Sequence, residues 1–170
     1  ISADYSTQNS IYALSYFPGD KRSIFRGDQG GNEIWHIYLR EENGTVKDLT
    51  PGERQRATFY HWAHDRKSFF YGSNKRDSRY VDVYELNIED FSSRLIYKND
   101  KALKFCCVSN DKRYMALEKT HNRDDSDIYL YDFSNEESRL LTPHEPDINH
   151  SATVFSVDSR GLYYLTDEDS

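Results

Sequence analysis

The chain of 170 residues contains no run of about 20 apolar residues, the length that a membrane-spanning helix needs. It also lacks a Gly-x-Ser-x-Gly segment, a glycine-rich phosphate loop and a Cys-x-x-Cys pair. These short motifs mark many serine hydrolases, nucleotide-binding proteins and thiol or zinc sites. No stretch of ten or more residues shows a convincing 3.6-residue hydrophobic period, which disfavours a helical fold.

Cysteine is scarce, because Cys106 and Cys107 are the only two. Neighbouring residues on a strand point to opposite faces, so a bridge between them is not expected. Two cysteines also do not make the disulfide framework of a small secreted protein. We expect both to be small buried hydrophobic residues. No secretory signal pattern opens the chain, and a cytoplasmic location is favoured over a periplasmic one.

Positive charge is in deficit, with 22 Lys and Arg against 29 Asp and Glu and a net charge of −7. The basic residues are spread over turns, whereas a duplex-binding protein usually shows a basic stripe. Nucleic acid is therefore not an expected partner. What the chain has in abundance is aromatic side chains, 14 Tyr and 9 Phe, and these favour β-strands.

One short stretch occurs four times along the chain. Its copies are marked by Asp20, Asp65, Asp111 and Asp158, which are spaced by 45, 46 and 47 residues. In each copy a strand-like run ends, the aspartate and basic residues follow, and an aromatic or aliphatic run begins. An aspartate can accept a hydrogen bond from the backbone N–H two residues later, which stabilises a turn. A period of this length is typical of repeat proteins.

Two further patterns keep the same order in each repeat. The first is an acid, a β-branched residue, an aromatic and a later hydrophobic residue, found at Glu33–Ile37, Asp82–Leu86 and Asp127–Tyr131. The second closes each unit, at Leu49–Pro51, Leu95–Tyr97 and Leu141–Pro143. In the first unit the patterns predict strands around Tyr12–Tyr16, Ser23–Arg26, Ile34–Leu39 and Val46–Thr50.

The predicted fold class is therefore all-β, a partial β-propeller of four-stranded antiparallel blades. The blade units are expected at roughly 12–57, 58–102, 103–150 and 151–170, and the last ends after its second strand. Closed propellers typically have four to eight blades. About three and a half blades thus predict a fragment whose open blade edges could support self-association.

Several groups of polar residues are candidates for a metal or catalytic site. His144–Ile148 begins like a zinc-protease helix, but it lacks the second histidine and contains Pro146. His61 and His64 flank a strand end, and we interpret them as core or turn residues. A calcium site would need six to eight oxygen ligands, whereas the loop 122–126 and its surroundings offer only three carboxylates: Asp124, Asp125 and Asp127.

Acidic pairs occur at Glu41-Glu42 and Glu136-Glu137, in corresponding turns between the third and fourth strands. Such pairs can hold the free amine of a substrate, but their repeated position favours solvated turn residues. We therefore assign no catalytic, cofactor-binding or metal-binding residue within the chain, and we expect no cofactor.

The repeated turns and the Leu-Thr-Pro endings resemble the propellers of TolB-type proteins and of the prolyl oligopeptidase family of serine peptidases. The segment Asn74–Tyr84 favours the peptidases, because acylaminoacyl-peptidase-like and dipeptidyl-peptidase-like members often show an Asn-x-Arg-Asp loop before an aromatic and Asp-Val-Tyr. The runs Asp127–Leu130, Leu141–Glu145 and Tyr163–Ser170 are also similar. The resemblance covers essentially residues 12–170.

This resemblance implies a propeller that covers an α/β-hydrolase domain and admits short peptides but not folded proteins. The hydrolase domain would lie outside this chain, so no residue here can be given a role in its Ser, Asp and His triad. The main alternative is a non-catalytic, TolB-like scaffold that binds proteins. A third is a metal-dependent propeller lyase, which would need several histidines converging at one end, and the six here show no such pattern.

Overall fold

A computed structural model describes residues 10–145 and 147–168. Pro146, Asp169 and Ser170, which belong to two of the motifs above, lie outside this description. The described residues form fourteen β-strands and no helix, and the strands make three four-stranded sheets and one two-stranded sheet. No helix long and apolar enough to cross a membrane occurs in this part of the chain.

The first sheet contains β1 (Ile11–Tyr16), β2 (Ser23–Gly27), β3 (His36–Arg40) and β4 (Val46–Asp48). The second contains β5 (Ala57–Trp62), β6 (Ser68–Ser73), β7 (Asp82–Asn87) and β8 (Ser93–Tyr97). The third contains β9 (Lys104–Val108), β10 (Tyr114–Asn122), β11 (Asp125–Asp132) and β12 (Glu137–Leu140). The fourth contains β13 (His150–Phe155) and β14 (Leu162–Thr166).

Each sheet is a meander in which consecutive strands pair antiparallel in chain order. A four-stranded antiparallel meander that repeats along the chain is the blade of a β-propeller. The predicted fold class, an all-β partial propeller, is confirmed.

The first two strands of every sheet are joined by a hairpin of one length. The last paired residues before the hairpin turns are Tyr16–Ser23, Trp62–Phe69, Val108–Met115 and Phe155–Leu162. Six residues therefore lie between the two members of each pair. On this measure the hairpins are spaced by 46, 46 and 47 residues. The structural period is therefore more regular than the spacing of the aspartates.

The repeated aspartates lie in the hairpin turns, but the first of them is displaced by one residue. Asp65, Asp111 and Asp158 are each followed by a residue with a left-handed backbone, at φ 59°, 58° and 62°. In the first hairpin Gly19 takes the left-handed conformation, at φ 94°, and Asp20 comes after it. Asp20 therefore sits one position later than its counterparts. It still accepts a hydrogen bond from the backbone N–H two residues on, at 2.8 Å, as Asp111 does at 3.0 Å.

The acid–β-branched–aromatic pattern was misaligned in the first unit. The structure places the equivalent of Asp82 and Asp127 at His36, not at Glu33. The backbone N–H of Ile37 donates to the Thr50 hydroxyl, and that of Ile128 donates in the same way to Thr142. A histidine thus replaces the acid in the first blade, which hid the repeat from a search for carboxylates.

The loop predicted at 122–126 is a tight hairpin instead. Strand β10 continues to Asn122 and β11 begins at Asp125, so only Arg123 and Asp124 connect them. The corresponding connections in the first and second sheets are long, at residues 28–35 and 74–81. The fourth strand of the first sheet is also shorter than predicted, because Thr50 serves as a side-chain acceptor rather than as a strand residue.

The chain divides into two compact units. The first includes described residues up to Trp62 together with 66–99, and the second includes 63–65 and residues from Asp100 onward. In the first unit one face of the first sheet packs against one face of the second. The buried residues of this core are Phe17, Ile24, Ile37, Leu39, Leu49, Ala57, Phe69, Tyr71, Tyr84 and Leu86.

In the second unit the third and fourth sheets share a smaller core. Its buried members are Cys107, Ala116, Leu130 and Phe155. Burying a large apolar side chain stabilises a fold by about 1.5–3 kcal/mol. Successive side chains of a strand point to opposite faces, so packing one face of a sheet removes one residue in two along each strand from water.

Candidate functional site

Histidines and aspartates of the second unit meet where β10 turns into β11. His121 lies near the end of β10, Asp125 and Asp127 lie on β11, and His144 lies on the connection between β12 and β13. The tight hairpin is what brings them together, because it places both aspartates beside the end of β10. We call these four residues the histidine–aspartate cluster; together with Leu140 and Pro143 they line a cleft of about 310 Å³.

His144 is the central member of the cluster. Its Nε2 lies 3.0 Å from Asp125 Oδ1, and its Nδ1 lies 2.8 Å from the carbonyl oxygen of Thr142. Nδ1 is also 3.6 Å from Asp127 Oδ1. Both ring nitrogens face oxygen acceptors, so only a ring that donates from both satisfies them. The Thr142 carbonyl, and then the Asp125 carboxylate, accordingly raise the pKa of His144.

The neighbouring histidines extend this arrangement. His121 Nε2 is 2.8 Å from Asp127 Oδ2, so Asp127 lies between two imidazoles. The ring of His150, which is buried, lies 4.8 Å from that of His144 and 5.8 Å from that of Tyr164, measured between centroids. The cluster is thus a partly exposed group of two carboxylates and two imidazoles, backed by an aromatic layer.

The other blades carry hydrogen-bonded polar pairs at the same register position. In the first sheet His36 Nδ1 lies 2.7 Å from Asp48 Oδ2, and Nε2 lies 3.1 Å from the carbonyl oxygen of Gly52. In the second sheet Asp82 is fully buried and receives two hydrogen bonds from Arg76, at 2.6 and 2.8 Å. A polar pair at the start of the third strand is therefore part of blade construction. In the third blade this position, Asp127, belongs to the larger and partly exposed histidine–aspartate cluster.

The cluster can hold a proton or a cationic group, but its residues do not form a nucleophilic centre. The Ser126 hydroxyl donates to the carbonyl oxygen of His150 at 2.8 Å and accepts from its backbone N–H at 2.9 Å, so it contacts no imidazole nitrogen there. Among the described residues no group of three or more His, Cys, Asp or Glu side chains is arranged to hold a metal ion.

The cysteines are not activated nucleophiles either. Burial raises the pKa of both thiols, that of Cys107 to about 12. The Cys106 thiol donates to Glu118 Oε2 at 3.1 Å, and this contact also favours the protonated thiol. Cys107 is buried in the core of the second unit, as predicted, whereas Cys106 is only partly buried. Both are free thiols.

The remaining predicted groups are dispersed. His64 is exposed, and His61 is partly buried with a pKa lowered by that burial. Glu41 and Glu42 lie in the turn between β3 and β4, and Glu136 and Glu137 lie at the turn between β11 and β12. Of the three loop carboxylates, which are too few for a calcium site, Asp125 and Asp127 pair with histidines, and the backbone N–H of Asp124 donates to Asn122.

Sequence reasoning missed the histidine–aspartate cluster. In the sequence His144 stands only at the start of an incomplete zinc motif, and His121 belongs to no recognised motif. The signal was present in the strand register: with a two-residue turn at 123–124, His121 and Asp127 become diagonal neighbours across the hairpin. Assuming a five-residue loop concealed this proximity.

Comparison with known proteins places the fold in a family. The family model of the prolyl oligopeptidase N-terminal β-propeller domain matches residues 4–170. Dipeptidyl aminopeptidase BIII of Pseudoxanthomonas mexicana is 22% identical over 156 residues, which cover 90% of this chain and 22% of that protein. The chain therefore spans less than a quarter of this curated relative.

Solved structures show the same fold at low sequence identity. TolB from Acinetobacter baumannii has a TM-score of 0.54 at 19% identity, covering 90% of this chain and 42% of that chain. Oligopeptidase B from Trypanosoma brucei has a TM-score of 0.54 at 17% identity, covering 95% of this chain and 23% of that chain. The match along residues 4–170 decides the family: the chain belongs to the N-terminal β-propeller domains of the prolyl oligopeptidase family.

Proposed function

We propose that this propeller segment is the gating and substrate-selecting part of a serine peptidase that cleaves short peptides. In this account the nucleophile, base and acid belong to an α/β-hydrolase domain outside the present chain. The role of the blades is to limit which substrates reach that domain. The segment is then inactive by itself. We also propose a cytoplasmic location.

The observation that carries this proposal is the family match over residues 4–170. The Ser126 hydroxyl is occupied by backbone groups, and the two thiols are held in their protonated form. In this proposal such a segment positions or excludes a substrate, and the separate hydrolase domain cleaves the peptide bond.

A non-catalytic propeller that binds proteins is the second candidate. The TM-score of 0.54 with a TolB structure favours it as much as the same score favours an oligopeptidase. Propeller geometry alone therefore does not separate the two, because one fold serves several functions. The difference lies in whether a hydrolase domain accompanies the blades.

Peptide hydrolysis by the product of the complete gene tests the proposal. A series of fluorogenic peptides from 4 to about 40 residues, together with a folded protein, would be offered at equal concentration. We expect cleavage of the short members and a steep loss of kcat/KM with length. Hydrolysis that is indifferent to length would overturn the gating role. No hydrolysis by a folded product would favour the scaffold.

A further inference from the structure

The first strand of every sheet carries one extra residue at the same place. The pairing registers skip Leu14, Tyr60, Cys106 and Thr153, which are spaced by 46, 46 and 47 residues. Each of them is therefore the extra residue of a β-bulge, in which two residues of one strand lie opposite one residue of its partner. The bulge is part of the repeat, and it changes the direction in which nearby side chains point.

In the third sheet this bulge contains both cysteines. Cys107 pairs with Ala116 of β10, and Cys106 is the extra residue beside it. Both side chains pack on the core between the third and fourth sheets, so they lie on the same side of the sheet. The alternation of a regular strand, on which the expectation of no bridge rests, does not hold at this position.

A third polar group, the carboxylate of Glu118, lies beside the two thiols. Cys106 Sγ donates to Glu118 Oε2 at 3.1 Å. Burial is the main cause of the raised pKa of both cysteines, and the charge of Glu118 raises the pKa of each further. At Cys106 the charge of a Cys107 thiolate adds to the same effect. The two sulfurs are thus close enough for one to influence the ionisation of the other.

The two thiols differ in access from solvent. Cys107 is buried, whereas Cys106 is partly exposed. The face that carries them packs against the fourth sheet, at Ala152 and Phe155, so both sides of this contact belong to the present chain. The partial exposure of Cys106 is therefore a property of a packed seam between two blades. A reagent in solution meets Cys106 first, and Cys107 lies behind it in the core.

A disulfide between neighbouring residues is strained. Consecutive Cα atoms are about 3.8 Å apart, whereas disulfides usually join Cα atoms that are about 4.4–6.8 Å apart. Such a bridge forms only if the backbone departs from regular strand geometry, and at a bulge it already does so. Strain makes a disulfide easier to reduce. A bridge at this place is therefore suited to a reversible role, unlike the permanent disulfides of secreted proteins.

We propose that Cys106 and Cys107 form a redox modification site, which a small-molecule disulfide oxidises to a reversible bridge within the bulge. The Cys106 thiolate attacks the reagent and displaces one thiolate, which leaves a mixed disulfide on Cys106. The Cys107 thiolate then attacks the Cys106 sulfur and displaces the second thiolate. In sum, the two protein thiols give up two electrons and two protons, and the reagent becomes two free thiols.

Closing the bridge changes the packing between the third and fourth sheets. The Cys107 side chain belongs to the smaller core of the second unit, together with Ala116, Leu130 and Phe155. A bond to Cys106 draws the Cys107 sulfur out of this core, and the loss of buried contacts destabilises the packing around it. Oxidation therefore loosens the fourth sheet. This inference is independent of the proposed peptidase function.

Mass spectrometry tests the bridge in the product of the complete gene. The folded protein would be incubated with oxidised glutathione at pH 8, unfolded with N-ethylmaleimide to label free thiols, and digested with trypsin. Cleavage after Lys104 and Lys112 gives one peptide, residues 105–112, that contains both cysteines. We expect this peptide to lack two hydrogen atoms and to carry no label, and dithiothreitol should reverse the change. Amide hydrogen exchange at Phe155 should be faster in the oxidised protein.

Variants separate the two steps. Cys107→Ala should stop the reaction with one glutathione on Cys106, and Cys106→Ser should leave Cys107 unmodified in the folded protein. Glu118→Gln should give the same bridge sooner, because Cys106 is then ionised more often. A wild-type mixed disulfide that never closes, a bridge between two chains, or two labelled thiols after an exposure that oxidises the unfolded protein would each overturn the proposal. Unchanged exchange at Phe155 would overturn the effect on the fourth sheet.

Discussion

The backbone N–H of Ile37 donates a hydrogen bond of 2.9 Å to the side-chain oxygen of Thr50. The pair Ile128 and Thr142 repeats it at the same length. Both threonines are buried and lie two residues after the end of the fourth strand. The Leu-Thr-Pro ending is therefore a device that satisfies a backbone donor where the outer strand stops pairing.

Replacing Thr142 by valine should destabilise the chain, because it keeps the side-chain volume and removes the acceptor for the Ile128 N–H. The expected loss is about 1–3 kcal/mol in the free energy of unfolding, the cost of an unpaired buried donor. Urea denaturation followed by tryptophan fluorescence and circular dichroism measures it. Thr142→Ser, which keeps the hydroxyl, should recover most of the loss; equal stability of the valine and serine variants would refute this role.

Arg76 holds the connection between β6 and β7 by neutralising the fully buried Asp82. Arg76→Met should leave that carboxylate uncompensated and cost roughly 3–5 kcal/mol. Arg79→Met is the matched control, since Arg79 pairs with Asp77 on the surface of the same loop. Denaturation of the two variants should therefore differ widely. Similar losses would mean that the buried pair contributes no more than the exposed one.

The stability of the second unit should depend on pH through His144. Its contacts with the Thr142 carbonyl and Asp125 raise its pKa above the ordinary 6.5, so folding favours the protonated ring. Asp127 and His150 also face it. The stabilisation is then complete below about pH 6.5 and is lost as the pH rises through the folded-state pKa.

The measurement is the free energy of unfolding of the wild type and of His144→Gln between pH 5.5 and 9. The advantage of the wild type should be greatest at the acidic end and should shrink with rising pH. His64→Gln, at an exposed histidine, serves as the control and should follow the wild type. A constant difference across the range would contradict the contribution of a protonated His144.

Both thiols should react slowly in the folded chain. Burial raises the pKa of Cys106 and Cys107, so little thiolate exists near pH 8. Modification by a disulfide reagent should be at least about tenfold slower than in denaturant, because the thiolate is the reacting species. Glu118→Gln should accelerate Cys106, whose thiol it contacts, more than Cys107, whose pKa the same carboxylate raises by charge alone. Fast labelling of the native wild type would contradict this.

The sequence carried enough information for the fold because the repeat is written in residues that shape turns. Asp65, Asp111 and Asp158 stand at identical positions in hairpins of identical length, so their spacing measures the blades directly. The aspartate of the first copy is displaced by one residue, since the left-handed residue there is Gly19, the third of the six hairpin residues, whereas Arg66, Lys112 and Ser159 are the fourth. A residue pattern marks a turn only approximately, because different residues can form a hairpin turn of the same length.

The sites were harder to predict for a physical reason. The histidine–aspartate cluster depends on a two-residue hairpin at 123–124, and polar residues there are equally compatible with a longer loop. The local sequence predicts turns and strands well. Contacts between side chains that strand register brings together become visible only in the structure.

The most direct test of the central claim is to treat the product of the complete gene with a fluorophosphonate probe and to locate the modified residue by mass spectrometry. The account predicts one labelled serine outside residues 1–170, in a Gly-x-Ser-x-Gly segment, with none of the serines of the propeller labelled. A correctly folded product that takes up no probe, or a label on a serine within the blades, would contradict it.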